Sequence, residues 1–232
     1  NKGERQDDPD WLRFRLVGAT NPTYFALAAR RRMDLYGATS TDFAKVKVKN
    51  AGNGLTNPNA RYQKAVTVEE VLASPVVADP LHLLEICATS DGGAAIVLSS
   101  MAFPERHAAS AGSRVRIAAV STVSPTYPNT VIDLPDMATD STAVVAAPDR
   151  PFKESIAHAA YEESGISPED LSLAEVYDLS TALELDWYED IGLCKRGEAE
   201  RLLNDGDTQL GGRIPVNAAG GLACFGEAVP AQ

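Results

Sequence analysis

Cysteine, histidine and aromatic residues are all scarce in this chain, and each scarcity excludes something. Only three cysteines, Cys87, Cys194 and Cys224, occur in 232 residues. They are odd in number and far apart, which gives neither a disulfide framework nor the spacing of metal ligands. The three histidines, His82, His107 and His158, are equally isolated and read as structural or solvent-facing. No Gly-x-Gly-x-x-Gly run, Walker-type loop or Gly-x-Ser-x-Gly elbow is present. No apolar run reaches the length of a membrane span. Asn1 to Asp10 is polar and charged, without the apolar core of a signal peptide. Positive charge is short as well: 21 Lys and Arg face 32 Asp and Glu, a net charge of −11. Nucleic acid is therefore a poor partner, because its affinity rests on neutralising phosphates. The acidity reads as solubility. An anionic ligand would need local basic groups or backbone donors. Together these features point to a reducing, cytoplasmic setting.

What the chain has is apolar mass and regular punctuation. Hydrophobic residues make up 44%, enough for a sizeable core. Asn21-Pro22 opens a helix that Gly37 ends, with Asn21 as the cap. A second helix starts at Ser40 or Thr41 and runs through Phe43 and Val46. Asn50 to Ala60, with two glycines, a proline and four asparagines, reads as a loop. Thr67 and Glu70 form a capping box for a short helix before Pro75. Ala94 to Leu98 suits a buried strand or a buried helix segment, and Arg114 to Val123 suits another strand. Residues 124–149, rich in Pro, Thr, Ser and Asp, read as a long loop. Pro151 to Ser164 is helical with Gly165 at its end, and Ser167 caps the next short helix. Leu173 to Tyr177 is a strand candidate, followed by a helix from Thr181 to Ile191 that Gly192 stops. Strands and helices alternate in the second half, the pattern of an α/β fold with partly parallel strands. The internal boundary falls near residues 100–113.

The most informative stretch is Asn217-Ala218-Ala219-Gly220-Gly221-Leu222-Ala223-Cys224-Phe225-Gly226-Glu227-Ala228. A β-rich run, Arg213 to Val216, leads into it and an apolar, helix-like segment follows. Adjacent glycines permit unusual backbone angles and close approach of another group. Glu227 then falls in the first turns of the expected helix, where a carboxylate is favoured. Such a strand-to-helix junction is where α/β proteins build sites.

This segment resembles the Asn-x-x-Gly-Gly-x-x-x-x-Gly-His-Pro motif of thiolases, with Glu227-Ala228 where the family has His-Pro. Tyr36-Gly37-Ala38-Thr39, Val48-Lys49-Asn50 and Asn57-Pro58 resemble the loop region of sterol-carrier-type thiolases. Val77-Ala78-Asp79-Pro80-Leu81 and Ser90-Asp91-Gly92-Gly93-Ala94-Ala95 resemble two further motifs of that group. Glu175-Val176-Tyr177-Asp178-Leu179-Ser180 falls where those proteins carry His-Asp-Cys-Phe. The likeness is strongest to bacterial thiolase-like non-specific lipid-transfer proteins. It implies a layered αβαβα fold. Residues 1–112 would then be part of the N-terminal half with its loop region. Residues 113–232 would be a C-terminal half truncated at its end, and the chain a fragment without the segment carrying the family's nucleophilic cysteine. It further implies a homodimer or other homo-oligomer.

A thiolase needs a thiolate, a base, an oxyanion site and a second acid or base. By the resemblance, the catalytic candidates are Tyr177, Glu227 and Asp178. Tyr177 stands where the family contacts the substrate carbonyl or its water; its alternative is a half-buried tyrosine at a strand end. Glu227 replaces the activating histidine; it can accept a proton, can donate one if burial raises its pKa, or is merely a helix carboxylate. Asp178 either orients Tyr177 or caps the next helix. Asn217, Gly220, Gly221 and Ser90 are the substrate-binding candidates, with Asn217 also able simply to hold the turn. None of the three histidines coincides with a family histidine. Cys194 and Cys224 fall at no nucleophile position and read as buried apolar side chains. Arg30-Arg31-Arg32 reads as a solvated helix face. Coenzyme A enters as part of a thioester substrate, lipid- or steroid-derived; no bound cofactor or metal is expected. Three activities remain open: a thiolase-type acyltransferase, a retro-aldol lyase acting on a β-hydroxyacyl-CoA with a small OB-fold, zinc-ribbon partner, and a non-catalytic acyl-CoA or lipid binder. Loss of both family histidines speaks against ordinary thiolysis.

Overall fold

A computed structural model describes residues 20–87, 89–100, 115–124 and 152–227. The readings for residues 1–15, His107, the 125–149 loop and the boundary near 100–113 lie outside these residues.

Helix α1 spans Asn21–Tyr36 and α2 spans Ser40–Gly54. Thr20, not Asn21, is the capping position of α1, so Asn21 and Pro22 both lie inside the first turn. Gly37 ends the helix in the left-handed region, at φ 73°. Thr39 and Asp42 close a capping box at the start of α2. This helix outruns the expected loop start by a turn. Asn50 and Asn53, polar residues that usually favour loops, are buried at its end and bonded to distant partners there. Tertiary hydrogen bonds override local preference.

Helix α3, Val68–Leu72, carries the expected Thr67–Glu70 capping box. A two-stranded antiparallel hairpin follows, β1 (Val76–Ala78) with β2 (Leu81–His82). A 3-10 turn at Leu83–Glu85 comes next. Helix α4 is Phe152–Ser164, and a 3-10 turn occupies Pro168–Asp170. Helix α5 is Thr181–Asp190, started by the Ser180 side chain. Helices α6, Ala199–Asn204, and α7, Leu222–Phe225, complete the order. The α6 segment has no strong cap or apolar repeat, and its sequence gave no warning.

Strand structure is sparser than expected. Leu173–Tyr177 and Arg213–Val216 meet through a single parallel bridge, Ala174 with Val216. The 94–98 and 115–124 segments are not strands, and Val97 and Val115 are 94% and 87% exposed. Apolar composition suits a strand, but a strand exists only where a neighbour takes its backbone hydrogen bonds. Among the described residues these segments have none.

The core joins α1, α2, α5 and α6 with the two bridge segments. Phe25, Ala29, Phe43, Val46, Leu185, Tyr188, Leu202, Ile214 and Val216 pack together there. Arg32 corrects the reading of a solvated arginine face. It is 1% exposed and reaches Asp186 at 2.7 Å, Glu189 at 2.7 Å and Glu200 at 2.8 Å. No described helix is long and apolar enough to cross a membrane. No described group of His, Cys, Asp and Glu could hold a metal ion.

Candidate active site

Two segments that are far apart in sequence meet at one edge of the molecule. Residues 174–178 and 214–217 run side by side, Ala174 N–H to Pro215 O and Asn217 N–H to Ala174 O, both 2.9 Å. At the end of the first segment the Tyr177 hydroxyl donates to the Glu227 carboxylate. Its ring is 37% exposed. Partial burial and the adjacent carboxylate hold its pKa above the usual phenol value, so Tyr177 keeps its proton at neutral pH. Its carbonyl accepts from Trp187 Nε1 at 3.0 Å, which anchors it to α5.

Glu227 does not lie in the first turns of a helix. Helix α7 is only four residues long and stops at Gly226, whose φ is 80°. Glu227 follows in extended backbone, bridged in parallel to Thr89. The expectation failed because Gly226 breaks the helix before the acid. Ser90 donates its backbone N–H to the Glu227 carbonyl at 3.3 Å, so it borders the Glu227 backbone. With Arg61, Thr89 and Asp91 it lines an open hollow of about 340 Å³.

Asp178 is 3% exposed and cannot meet a substrate as a free side chain. Nor does it cap α5, whose cap is Ser180. Its carboxylate accepts the N–H groups of Leu222 at 2.8 Å and Ala223 at 3.3 Å, the start of α7. Burial and the nearby Glu184 carboxylate push its pKa well above the usual range, against the pull of those amides. Asp178 therefore clamps the glycine turn onto the tyrosine segment.

The glycine pair is required by close approach. A Cβ on Gly221, at φ 60°, would lie 2.6 Å from an Asp178 carboxylate oxygen. A Cβ on Gly220, at φ 108°, would lie 2.9 Å from the Gly54 backbone of α2. Both glycines make the turn fit. Asn217 is fully buried, with a left-handed φ of 54°. Its Oδ1 accepts Val176 N–H and its Nδ2 donates to Glu184, each at 2.9 Å. It holds the turn through these bonds.

Several participants were missed. Glu184, on α5, and Lys49, on α2, form a buried ion pair of 2.8 Å. Lys47 is buried too and donates to Ala223 O at 2.7 Å. Burial lowers its pKa, with Cys224 and Asp178 opposing. The Val48-Lys49-Asn50 motif was read as part of the loop region, which carried no signal that Lys49 is buried in a helix. Cys87 was not weighed. The charges of Glu227 and Asp178 act on it, and burial first, then these charges, push its thiol up to about 12. Burial likewise takes Cys194 to about 12 and raises Cys224, whose Sγ sits 3.2 Å from Asn50 O. All three cysteines are held as thiols. His82 binds Ser74 O through Nδ1 at 2.7 Å, and His158 faces Glu162 on α4; neither joins the site.

Residues 138–231 match the family described as Thiolase C-terminal domain-like. The benzoylsuccinyl-CoA thiolase subunit BbsB of Thauera aromatica is 36% identical over 218 residues, 93% of this chain and 52% of that protein. Sterol carrier protein 2 of Bos taurus is 33% identical over 205 residues, 88% of this chain and 36% of that protein. Among solved structures, the Ltp2-ChsH2(DUF35) aldolase aligns with a TM-score of 0.64 and 26% identity, covering 96% of this chain and 56% of that one. The chain thus spans about half the length, or less, of the relatives it matches. The motif order in the sequence, the family match and the shared fold agree, and the chain belongs to the thiolase superfamily.

Proposed function

We propose that this chain carries acid–base machinery for making or breaking a carbon–carbon bond in a coenzyme A thioester, in retro-aldol fashion on a β-hydroxyacyl-CoA. The observation that carries the reading is the hydrogen bond from the Tyr177 hydroxyl to Glu227. It joins a proton donor to a proton acceptor, and Thr89 and Ser90, whose backbone meets that of Glu227, line the neighbouring open hollow.

In the cleavage direction Glu227 takes the proton of the substrate's β-hydroxyl. The β-carbon becomes a carbonyl as the Cα–Cβ bond breaks, and the electron pair moves onto the thioester as an enolate. Tyr177 protonates the α-carbon, leaving a shortened acyl-CoA and a free ketone or aldehyde. The proton held by Glu227 then returns to the tyrosinate along their hydrogen bond, so the cycle closes without net proton change. Thiolysis instead requires a nucleophile activated by a base, and Glu227 stands where the thiolase motif has its activating histidine. That favours the lyase reading over the acyltransferase. The names of two relatives, a thiolase subunit and a two-component aldolase, support action with a second protein, which this reading takes to be the small OB-fold, zinc-ribbon protein that the resemblance implies.

The test is turnover of β-hydroxyacyl-CoA thioesters, with and without such a partner. Tyr177→Phe should cut kcat by roughly 10²–10⁴-fold and leave KM within about threefold. Unchanged turnover in that variant would remove the phenol from the chemistry. Wild-type protein that binds acyl-CoA in calorimetry but turns over neither lyase nor thiolysis substrates would make the chain a binder.

A further inference from the structure

The tyrosine–glutamate pair stands on a buried polar centre that the proposed chemistry does not touch. Glu184 is completely buried, yet all four of its acceptor positions are used. Oε1 accepts Lys49 Nζ at 2.8 Å and the Tyr188 hydroxyl at 2.5 Å. Oε2 accepts Asn50 Nδ2 at 2.5 Å and Asn217 Nδ2 at 2.9 Å.

Each amide passes the constraint on to the site. Asn217 holds the Val176 N–H, one residue before Tyr177, and opens the turn that leads to Glu227. Asn50 Nδ2 lies 3.1 Å from Asp178 Oδ2, and Asp178 grips the first amides of α7. Lys49 adds a bond to Val216 O at 2.6 Å. One carboxylate is therefore a single side chain away from both segments that carry the reacting groups. A buried ion pair adds little net stability over a well-packed apolar pair of similar volume. What an apolar pair cannot supply is the directed acceptor that Asn50 and Asn217 need.

We infer that Glu184, charge-balanced by Lys49, is a positioning residue that fixes Tyr177 against Glu227. The role rests on the acid–base reading above.

Three variants separate positioning from mere stability: Glu184→Gln, the pair Glu184→Leu with Lys49→Met, and the pair Glu184→Gln with Lys49→Met. The apolar pair should keep the fold but lose the acceptor. Its kcat should fall roughly 10–100-fold with KM within about twofold. Amide hydrogen exchange of residues 174–178 and 217–227 should quicken about tenfold. In the Gln–Met pair the glutamine can turn its NH₂ toward Tyr188 and the space left by the ammonium. Its carbonyl then serves Asn50 and Asn217, and both exchange protection and turnover should recover to within about threefold of wild type. Glu184→Gln alone keeps an unpaired Lys49 and should be the least stable of the three.

Wild-type exchange and turnover in the apolar pair would overturn the inference. So would lost turnover with unchanged exchange. If the apolar pair fails to fold, a Gln–Met pair that recovers stability but neither protection nor turnover overturns it equally. The exchange measurement does not depend on any substrate, so an inactive wild-type protein would sink the lyase reading while leaving this role testable.

Discussion

At the scale of single residues, chemistry and packing compete for the same few positions. Gly221 shows this best, because its hydrogen lies where any Cβ would press on the Asp178 carboxylate. Gly221→Ala is expected to cost ~1–3 kcal/mol for the left-handed backbone alone, with further loss from the displaced clamp. Thermal unfolding would register the first, and a drop in turnover larger than that of a remote mutation the second. Glu85 makes a second residue-scale prediction. It is 1% exposed, its Oε2 accepts His82 N–H at 2.7 Å, and Oε1 has no partner among the described residues. Burial pushes its pKa up to about 7. A carboxyl whose folded pKa exceeds its unfolded one favours the fold at low pH, and that contribution is lost as pH rises through the folded value. Glu85→Gln should therefore stabilise the protein by up to ~3 kcal/mol at about pH 8. The gain should vanish as pH falls toward the ordinary glutamate value. A Tm difference that is flat across this range would refute the account.

At the scale of elements, α2 is the support on which the site is assembled. Its second half presents Lys47, Lys49, Asn50, Asn53 and Gly54 to the turn at 217–224. Lys47 reaches Ala223 O, Lys49 Val216 O and Asn53 Asn217 O, at 2.7, 2.6 and 2.9 Å. Its first turn depends on the Thr39–Asp42 capping box. Thr39→Ala should cost ~1 kcal/mol and lower Tm by roughly 2–4 °C. Because the cap lies about two to three turns from the buried lysines, kcat at low temperature should be unchanged. A large kcat effect would show that the helix moves as a unit. The Thr67–Glu70 box, the Ser167 cap and the glycine stops at Gly37, Gly165 and Gly192 were legible in sequence because they act through neighbours in the chain. The end of α2 was not, because Asn50 and Asn53 owe their helical place to partners more than a hundred residues away.

At the scale of the molecule, Arg32 ties α1 to α5 and α6 through three carboxylates. Their hydrogen bonds and charges raise its pKa against burial, which acts the other way. Arg32→Met would leave Glu200 without this cation, Glu189 with Arg196 alone and Asp186 with the more distant Lys153 charge, at a cost of ~3–5 kcal/mol, or roughly 10 °C in Tm. Burial already raises Asp186 even beside the arginine. Without it the carboxyls would fold best protonated, so the loss should be smaller near about pH 5 than about pH 8. A pH-independent loss would contradict this. From the chain alone Arg30-Arg31-Arg32 was one basic patch. Only the packing separates Arg30, exposed and paired with Asp79, from Arg32 in the interior.

Order along the chain settled the superfamily, several helix starts and stops, and the candidacy of Tyr177 and Glu227, since motifs and glycine stops are read over a few adjacent residues. Folding alone decided which polar side chains go inside. It put Glu184 and Lys49 at the centre, made braces of Asp178, a catalytic candidate, and Asn217, a substrate-binding candidate, and left the 94–98 and 115–124 runs without strand partners among the described residues. Burial and hydrogen-bond satisfaction depend on distant segments meeting in space, and no window of neighbouring residues contains that information.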